Sequence, residues 1–185
     1  MRIGEVEIED TFSELFPMWV SRVLITADDE KWARTAAEEA TGFATSIIGS
    51  PAEAGVEGPA GPEETPDGRP GYFIQIYQRN WRLLKAQLMA RIGQCVLTCP
   101  TTAAFDATPE PRRKLRIGRA LSMFGDGWQR PAVRYGRKLW RIPVMEGEFI
   151  VENAFGARIG VAGGTLIIMA RDRRSGLRAA EEAAN

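Results

Sequence analysis

Histidine is absent from this 185-residue chain, and cysteine occurs only at positions 95 and 99. The first absence removes the commonest general base and every Ser-His or Cys-His nucleophile. Proton transfer would fall to a carboxylate, a tyrosine, a thiol, a lysine or the substrate itself. Two thiolates without imidazole partners fall short of the usual four-ligand zinc site, which carboxylates or a second chain would have to complete, so no metal is assigned. Cys95 and Cys99 read as two buried free thiols. Lysine is scarce, confined to positions 31, 85, 114 and 138, and Lys plus Arg balances Asp plus Glu at 24 each. That balance lacks the electrostatic footprint of a nucleic-acid binder or a polybasic membrane protein. The longest apolar run, "VAGGTLIIMA", is too short to span a bilayer, and "MRIGEVEIEDTF" lacks the apolar core of a signal peptide. A soluble cytoplasmic protein is expected, with neither nucleic acid nor membrane as a partner.

What is present suffices for a real core: 44% of residues are hydrophobic and 26% charged, near globular averages. "WVSRVLITA", 19–27, is a β-branched run that reads as a buried strand. Asp28 or Asp29 can cap a helix from about 30 to 41, closed by Gly42. Residues 45–57 resume an extended pattern broken by Pro51, and "YFIQIYQ" is a further strand. Asn80 can cap "WRLLKAQLMARIG", where Trp81, Leu84, Leu88 and Ile92 form one apolar stripe; "QCVLTC" reads as a strand after it. The resulting order, βαββαβ, is that of a ferredoxin-like α+β unit, an antiparallel sheet with its helices on one face.

Residues 101–137 carry turn chemistry and charge and read as a bridge with one short strand at most. "KLWRIPV" and "EFIVENAF", joined by "MEG", form a hairpin pattern; "GTLIIMA" reads as a strong strand and "SGLRAAEEAA" as a helix. This gives a first lobe with its bridge at 1–137 and an incomplete second, similar lobe at 138–185, whose sheet would need covering. "GARIGVAGG" precedes a strand instead of following one, so it reads as close packing or a turn and not as a phosphate loop. "FGDGW" sets Asp126 between two glycines, suited to a tight turn or to presenting a carboxylate; Glu146 and Glu148 in "MEGEF" share that ambiguity. Trp19, Trp32, Trp81 and Trp140 read as core or interface anchors, whereas Trp128 is placed to stack on a flat ligand.

The blocks "VEIEDTF", "EATGFATS", "PAEAG", "PEETPDGRPG", "IGQCVLT", "FGDG", "RIPVMEGEFIVENAFG" and "GVAGG", in this order over nearly the whole chain, resemble the formylmethanofuran:tetrahydromethanopterin formyltransferases of methanogens and methylotrophic bacteria. The resemblance implies two similar α/β lobes, oligomers of one chain, and substrates in clefts at subunit contacts. It implies transfer of a formyl group from the amine of methanofuran to N5 of tetrahydromethanopterin, both coenzymes serving as substrates, with no metal or prosthetic group. It also implies that the rigid loop bearing Asp67 and Arg69 lines a cleft. Gln94, Thr98 and backbone N–H groups of "GQCVLT" and "FGDG" would serve as donors, and Phe124 and Asp126 would orient a ligand. The family's proton-transferring carboxylate lies beyond the matched blocks, so no catalytic residue is assigned and a truncated chain is expected. A non-catalytic binding or assembly subunit is the alternative.

Overall fold

A computed structural model describes residues 2–10, 14–145, 147–165 and 167–184. Its strands are β1 (Arg2–Ile3), β2 (Val6–Glu7), β3 (Phe16–Thr26), β4 (Glu53–Ala60), β5 (Gly71–Gln78), β6 (Ala103–Asp106), β7 (Arg113–Arg116), β8 (Arg130–Arg134), β9 (Arg137–Val144), β10 (Gly147–Glu152) and β11 (Ala154–Ala162). The α-helices are α1 (Glu30–Thr41), α2 (Trp81–Arg91), α3 (Gly118–Leu121) and α4 (Arg173–Ala184). By compactness the chain forms two units, Pro17–Ala162 and a smaller one of Met1–Phe16 with Gly163–Asn185.

The larger unit contains the expected βαββαβ path. The four strands lie in the order β4-β5-β3-β6, each antiparallel to its neighbour, as a split βαβ unit requires. Burial alternates with the pleat. Val23 and Ile25 of β3 and Ile74 and Ile76 of β5 enter the main core, while Leu24 joins a smaller cluster with Phe105, Leu139 and Ile150. Asp29 caps α1, its carboxylate accepting from the Trp32 N–H at 2.9 Å. That helix buries only alanines, at 33, 36, 37 and 40, so its axis lies close to the sheet. Asn80 caps α2 by accepting from Arg82 and Leu83. Arg91, buried near the end of α2, donates to the carbonyls of Ala40 at 2.7 Å and Gly42 at 3.0 Å, so one guanidinium closes the C-terminus of the other helix.

The segment "QCVLTC" is not a strand. The chain continues from α2 into a π-helical turn over Ile92–Val96, followed by turns to 101, and the strand comes later as β6. Leu84, Leu88, Ile92 and Val96 are all fully buried at a spacing of four, so the helical stripe outweighs the β propensity of the valine and threonine. The bridge is also richer than expected: β6, β7, α3 and β8 all lie within it. Residues 45–51 turn, and the extended segment is β4, which ends at Ala60.

Beyond β6 the sheet continues through β10, β9 and β8, with β10 parallel to β6 and the other pairs antiparallel; β11 pairs with β3 and β7, giving nine strands among the described residues. The division expected at 137/138 falls in the β8–β9 hairpin, where Arg134 pairs with Arg137, and the sheet runs through it. Two of the four "GARIGVAGG" glycines, Gly156 and Gly160, lie in β11. A Cβ on Gly156 would stand 2.7 Å from Cβ of Thr108, and one on Gly160 would stand 2.8 Å from Cγ1 of Val20, which bears out close backbone packing.

In the smaller unit β1 and β2 form a short antiparallel ladder. The expected strand in "GTLIIMA" is absent: the described residues from 163 to 170 hold no sheet pairing, and Ile167 is 84% exposed. Without a neighbouring edge to satisfy its backbone groups, an apolar run does not become a strand. Asp172 caps α4, accepting from the N–H and the hydroxyl of Ser175, both at 2.9 Å, and those bonds hold its carboxyl below the usual range. No helix among the described residues is long and apolar enough to cross a membrane.

Candidate functional site

The proline-rich loop ends at a guanidinium with four partners. Arg69 donates to Asp67 at 2.9 Å, to Asp28 at 2.9 Å, to the Thr101 carbonyl at 2.5 Å and to the Thr26 hydroxyl at 3.2 Å. Asp67, its side chain only 4% exposed, also accepts from the Thr26 hydroxyl at 2.7 Å, so its carboxylate faces inward. Arg69 remains 25% exposed and lines a cleft of about 210 Å³ with Asp28, Leu97, Thr101, Val144, Glu148 and others. The tight Pro62–Glu64 turn and the prolines before β5 limit the loop's alternatives and deliver Arg69 to that wall.

Thr101 stands opposite at φ 62°, a left-handed conformation that a β-branched residue adopts only under constraint. The constraint is visible: its hydroxyl accepts from the Asp28 N–H at 3.1 Å while its carbonyl holds Arg69. Thr26, Asp28 and Thr101 were not among the residues expected from sequence. "CPTTA" carries no pattern that would single out its second threonine.

Gln94 and Thr98 lie exposed on and just after the π-helical turn. The Thr98 hydroxyl donates back to the carbonyls of Gln94 at 2.8 Å and Cys95 at 3.4 Å, an internal use that leaves its oxygen as an acceptor. N–H groups of this segment are also occupied, Leu97 on Ile92 and Cys99 on Val96. Phe124 reaches the same neighbourhood through Gly93: a Cβ there would stand 2.9 Å from Cδ2 of Leu121 and 3.3 Å from Cε2 of Phe124. The structure thus brings the "GQC" and "FGDG" segments together. It joins the turn after "GQC" to Arg69 through the 210 Å³ cleft, which Leu97 and Cys99 line.

The "FGDG" turn does not offer the expected backbone donors. The N–H groups of Asp126, Gly127 and Trp128 are taken by the Met123 carbonyl, Gln129 Oε1 and the Gly125 carbonyl. Asp126 sits at φ 47° and presents an exposed carboxylate without a partner among the described residues, beside Trp128, which is 73% exposed. Trp19, Trp32, Trp81 and Trp140 pack partly buried against the main core. Glu148 is engaged by Arg141, and Glu146 lies outside the described residues.

Burial raises the thiols of both Cys95 and Cys99 above their ordinary pKa and so keeps them protonated. Burial likewise raises the phenols of Tyr72 and Tyr77. The Arg22 guanidinium lowers Glu57, which it binds through two nitrogens. None of these groups is tuned toward a base working at neutral pH. Among the described residues, no group of three or more Asp, Glu or Cys could hold a metal ion.

The fold is a ferredoxin-like α+β sheet that carries a small polar cleft and an exposed aromatic turn. Comparison with known proteins makes the class specific. Residues 1–144 match the family model of formylmethanofuran-tetrahydromethanopterin formyltransferase, and 147–185 match that of the proximal lobe of the same enzyme. The chain is 55% identical to the curated formylmethanofuran--tetrahydromethanopterin formyltransferase of Methanocaldococcus jannaschii, over 100% of this chain and 62% of that one. It is 56% identical to the same enzyme of Methanopyrus kandleri, over 99% and 63%. The solved formyltransferase of Methanosarcina barkeri superposes with a TM-score of 0.94 at 50% identity, covering 99% of this chain and 62% of that one. A chain in the formyltransferase/hydrolase complex of Methylorubrum extorquens, determined with methylofuran, gives 0.87 at 42% identity over 98% and 60%. The chain belongs to the formylmethanofuran-tetrahydromethanopterin formyltransferase family. It spans about 62% of the length of the curated relatives it matches.

Proposed function

We propose that this chain serves formyl transfer from formylmethanofuran to N5 of tetrahydromethanopterin, with the two coenzymes as substrates and no further cofactor, in a cytoplasmic homo-oligomer. The observation that carries this reading is the identity of about 55% with curated enzymes of that activity over the whole chain. Acyl transfer between two nitrogens asks a protein to align two ligands, to stabilise negative charge on the formyl oxygen, and to move one proton. The Arg69 guanidinium, fixed by four partners at the cleft wall, supplies a pre-positioned cation, with Asp67 holding its orientation. Gln94 adds an exposed amide, Thr98 an acceptor oxygen, Phe124 an apolar face, and Asp126 a carboxylate that can receive an N–H donor on a ligand. The proton-transfer group is assigned to no residue of this chain.

The test is formation of formyl-tetrahydromethanopterin by the purified protein supplied with both coenzymes. Turnover supports the reading; absence of both turnover and coenzyme binding overturns it. The similarity to a chain within a formyltransferase/hydrolase complex favours a second reading, a binding or assembly subunit, marked by coenzyme binding without turnover.

A further inference from the structure

Two Asp-Gly pairs occur in the chain, Asp67–Gly68 and Asp126–Gly127, and no Asn-Gly. At such a pair the main-chain nitrogen of the glycine can attack Cγ of the aspartic acid, because glycine has no Cβ to crowd the ring or to restrict its φ and ψ. Both glycines leave that approach open: a Cβ added at Gly68 or at Gly127 would meet nothing within 4 Å. Space therefore does not separate the two pairs, and the aspartate side chains do.

The two carboxylates are held very differently. The Asp67 side chain is 4% exposed and both its oxygens are engaged. Oδ2 accepts from the Thr26 hydroxyl at 2.7 Å and from Nε of Arg69 at 2.9 Å, and Oδ1 accepts from the Arg69 backbone N–H at 3.4 Å. Its Cγ reaches the Gly68 nitrogen only by breaking that set. Asp126 is exposed, with a carboxylate that no described residue holds. Its backbone sits in the left-handed region, φ 47° and ψ 37°, a cost that leaving the turn recovers. Closing the ring rotates ψ of Asp126 and carries the Gly127 N–H with it. One side chain resists that rotation: Oε1 of Gln129 accepts the Gly127 N–H at 2.8 Å, at the surface.

We infer that Asp126 is a site of spontaneous isoaspartate formation in the folded chain, that Asp67 is protected, and that Gln129 restrains the reaction at Asp126. The Gly127 nitrogen forms a bond to Cγ of Asp126, and the amide proton leaves with the side-chain hydroxyl as one water, giving a five-membered succinimide. Water then adds to either ring carbonyl. Opening at the main-chain carbonyl leaves Gly127 attached through Cγ, so the turn gains a methylene and the exposed acid becomes the α-carboxylate. Opening at the other carbonyl restores aspartate. One water is lost and one regained, and no oxidant or cofactor enters. The inference does not rest on the formyl-transfer reading, and neither coenzyme is needed to test it.

The full chain is kept folded in warm, mildly acidic buffer for a prolonged period, beside a urea-unfolded reference. Trypsin releases residue 126 in the peptide 120–134 and residue 67 in the peptide 35–79, since Arg130 and Arg69 both precede proline. Isoaspartate in each peptide is measured by methylation with an isoaspartate-specific carboxyl methyltransferase and labelled S-adenosylmethionine. Taken relative to its own rate in urea, residue 126 of the folded chain isomerises at least about tenfold faster than residue 67, whose hydrogen bonds must break first. Gln129→Ala speeds formation at residue 126 about three- to tenfold, the worth of one hydrogen bond, and leaves residue 67 unchanged. Asp126→Glu keeps the charge but would need a six-membered ring, and it yields no product in the 120–134 peptide. The inference is overturned if residue 126 of the folded chain isomerises no faster than residue 67 on that scale, or if Gln129→Ala leaves its rate unchanged.

Discussion

Replacing Arg69 with alanine tests the reading of the proline-rich loop most directly. The substitution leaves the Asp67 carboxylate, 4% exposed, with only the Thr26 hydroxyl at 2.7 Å and a long 3.4 Å contact from the backbone N–H of residue 69. Stripping one partner from a fully buried ion pair costs about 3–5 kcal/mol. Arg69 is a quarter exposed and its Asp28 partner is 65% exposed, so that contact adds little. A loss of about 2–4 kcal/mol is expected, read as a fall of roughly 5–15 °C in the unfolding midpoint for a chain of this size. Urea denaturation at constant m-value gives the same quantity. The decisive measurement is a double-mutant cycle. Asp67→Asn in the Arg69→Ala background recovers at least about 1 kcal/mol, because it removes the charge left without a partner. A single-mutant loss below about 0.5 kcal/mol, or no recovery in the double mutant, would refute the account of a buried, mutually dependent pair.

Gly93→Ala drives a methyl group toward Leu121 and Phe124 and costs about 1–3 kcal/mol; displacement of the "FGDG" turn is read as a change in the emission of the neighbouring Trp128. Native Cys95 and Cys99 react slowly with a disulfide reagent at mildly alkaline pH and quickly once the chain is unfolded, since burial raises both thiols; equal rates in the two states would contradict this. A group raised on folding contributes stability that is complete below its unfolded pKa and lost as pH climbs through the folded value. Replacing both thiols with alanine therefore flattens the alkaline limb of the stability profile. Glu57 has the opposite sign. Its pKa is depressed by Arg22, so its contribution is present above the unfolded pKa and lost as pH falls through the folded one; Glu57→Gln flattens the acid limb below about pH 4.5, and an unchanged limb would discard the pair's role.

The first half of the fold was legible because its local signals agree. Asp29 and Asn80 cap where they were expected to, and the alternation in β3 and β5 matches the two faces of the sheet. Sequence reading fails where tertiary partners decide. "QCVLTC" has the composition of a strand, but its Val96 extends the Leu84, Leu88, Ile92 stripe into a helical core. "GTLIIMA" has the composition of a better strand and finds no edge among the described residues, whereas the glycine-bearing "AFGARIGVA" pairs because its small residues let other elements approach. At the site, Arg69 and Asp67 were visible as a charged pair in a stiff loop. Thr26, Asp28 and Thr101 were not, because residues this far apart in the chain converge only through the sheet.

The π-helical turn at Ile92–Val96 works as a register device. An extra residue accommodated in one turn lets Ile92 and Val96 stay buried while Gln94 and Thr98 remain exposed. A one-residue change in length that no such turn absorbed would rotate everything beyond it by about 100°. The core stripe would then be broken, or the exposed polar side chains turned toward the interior. The segment therefore tolerates substitution at its exposed positions far better than any change in its length.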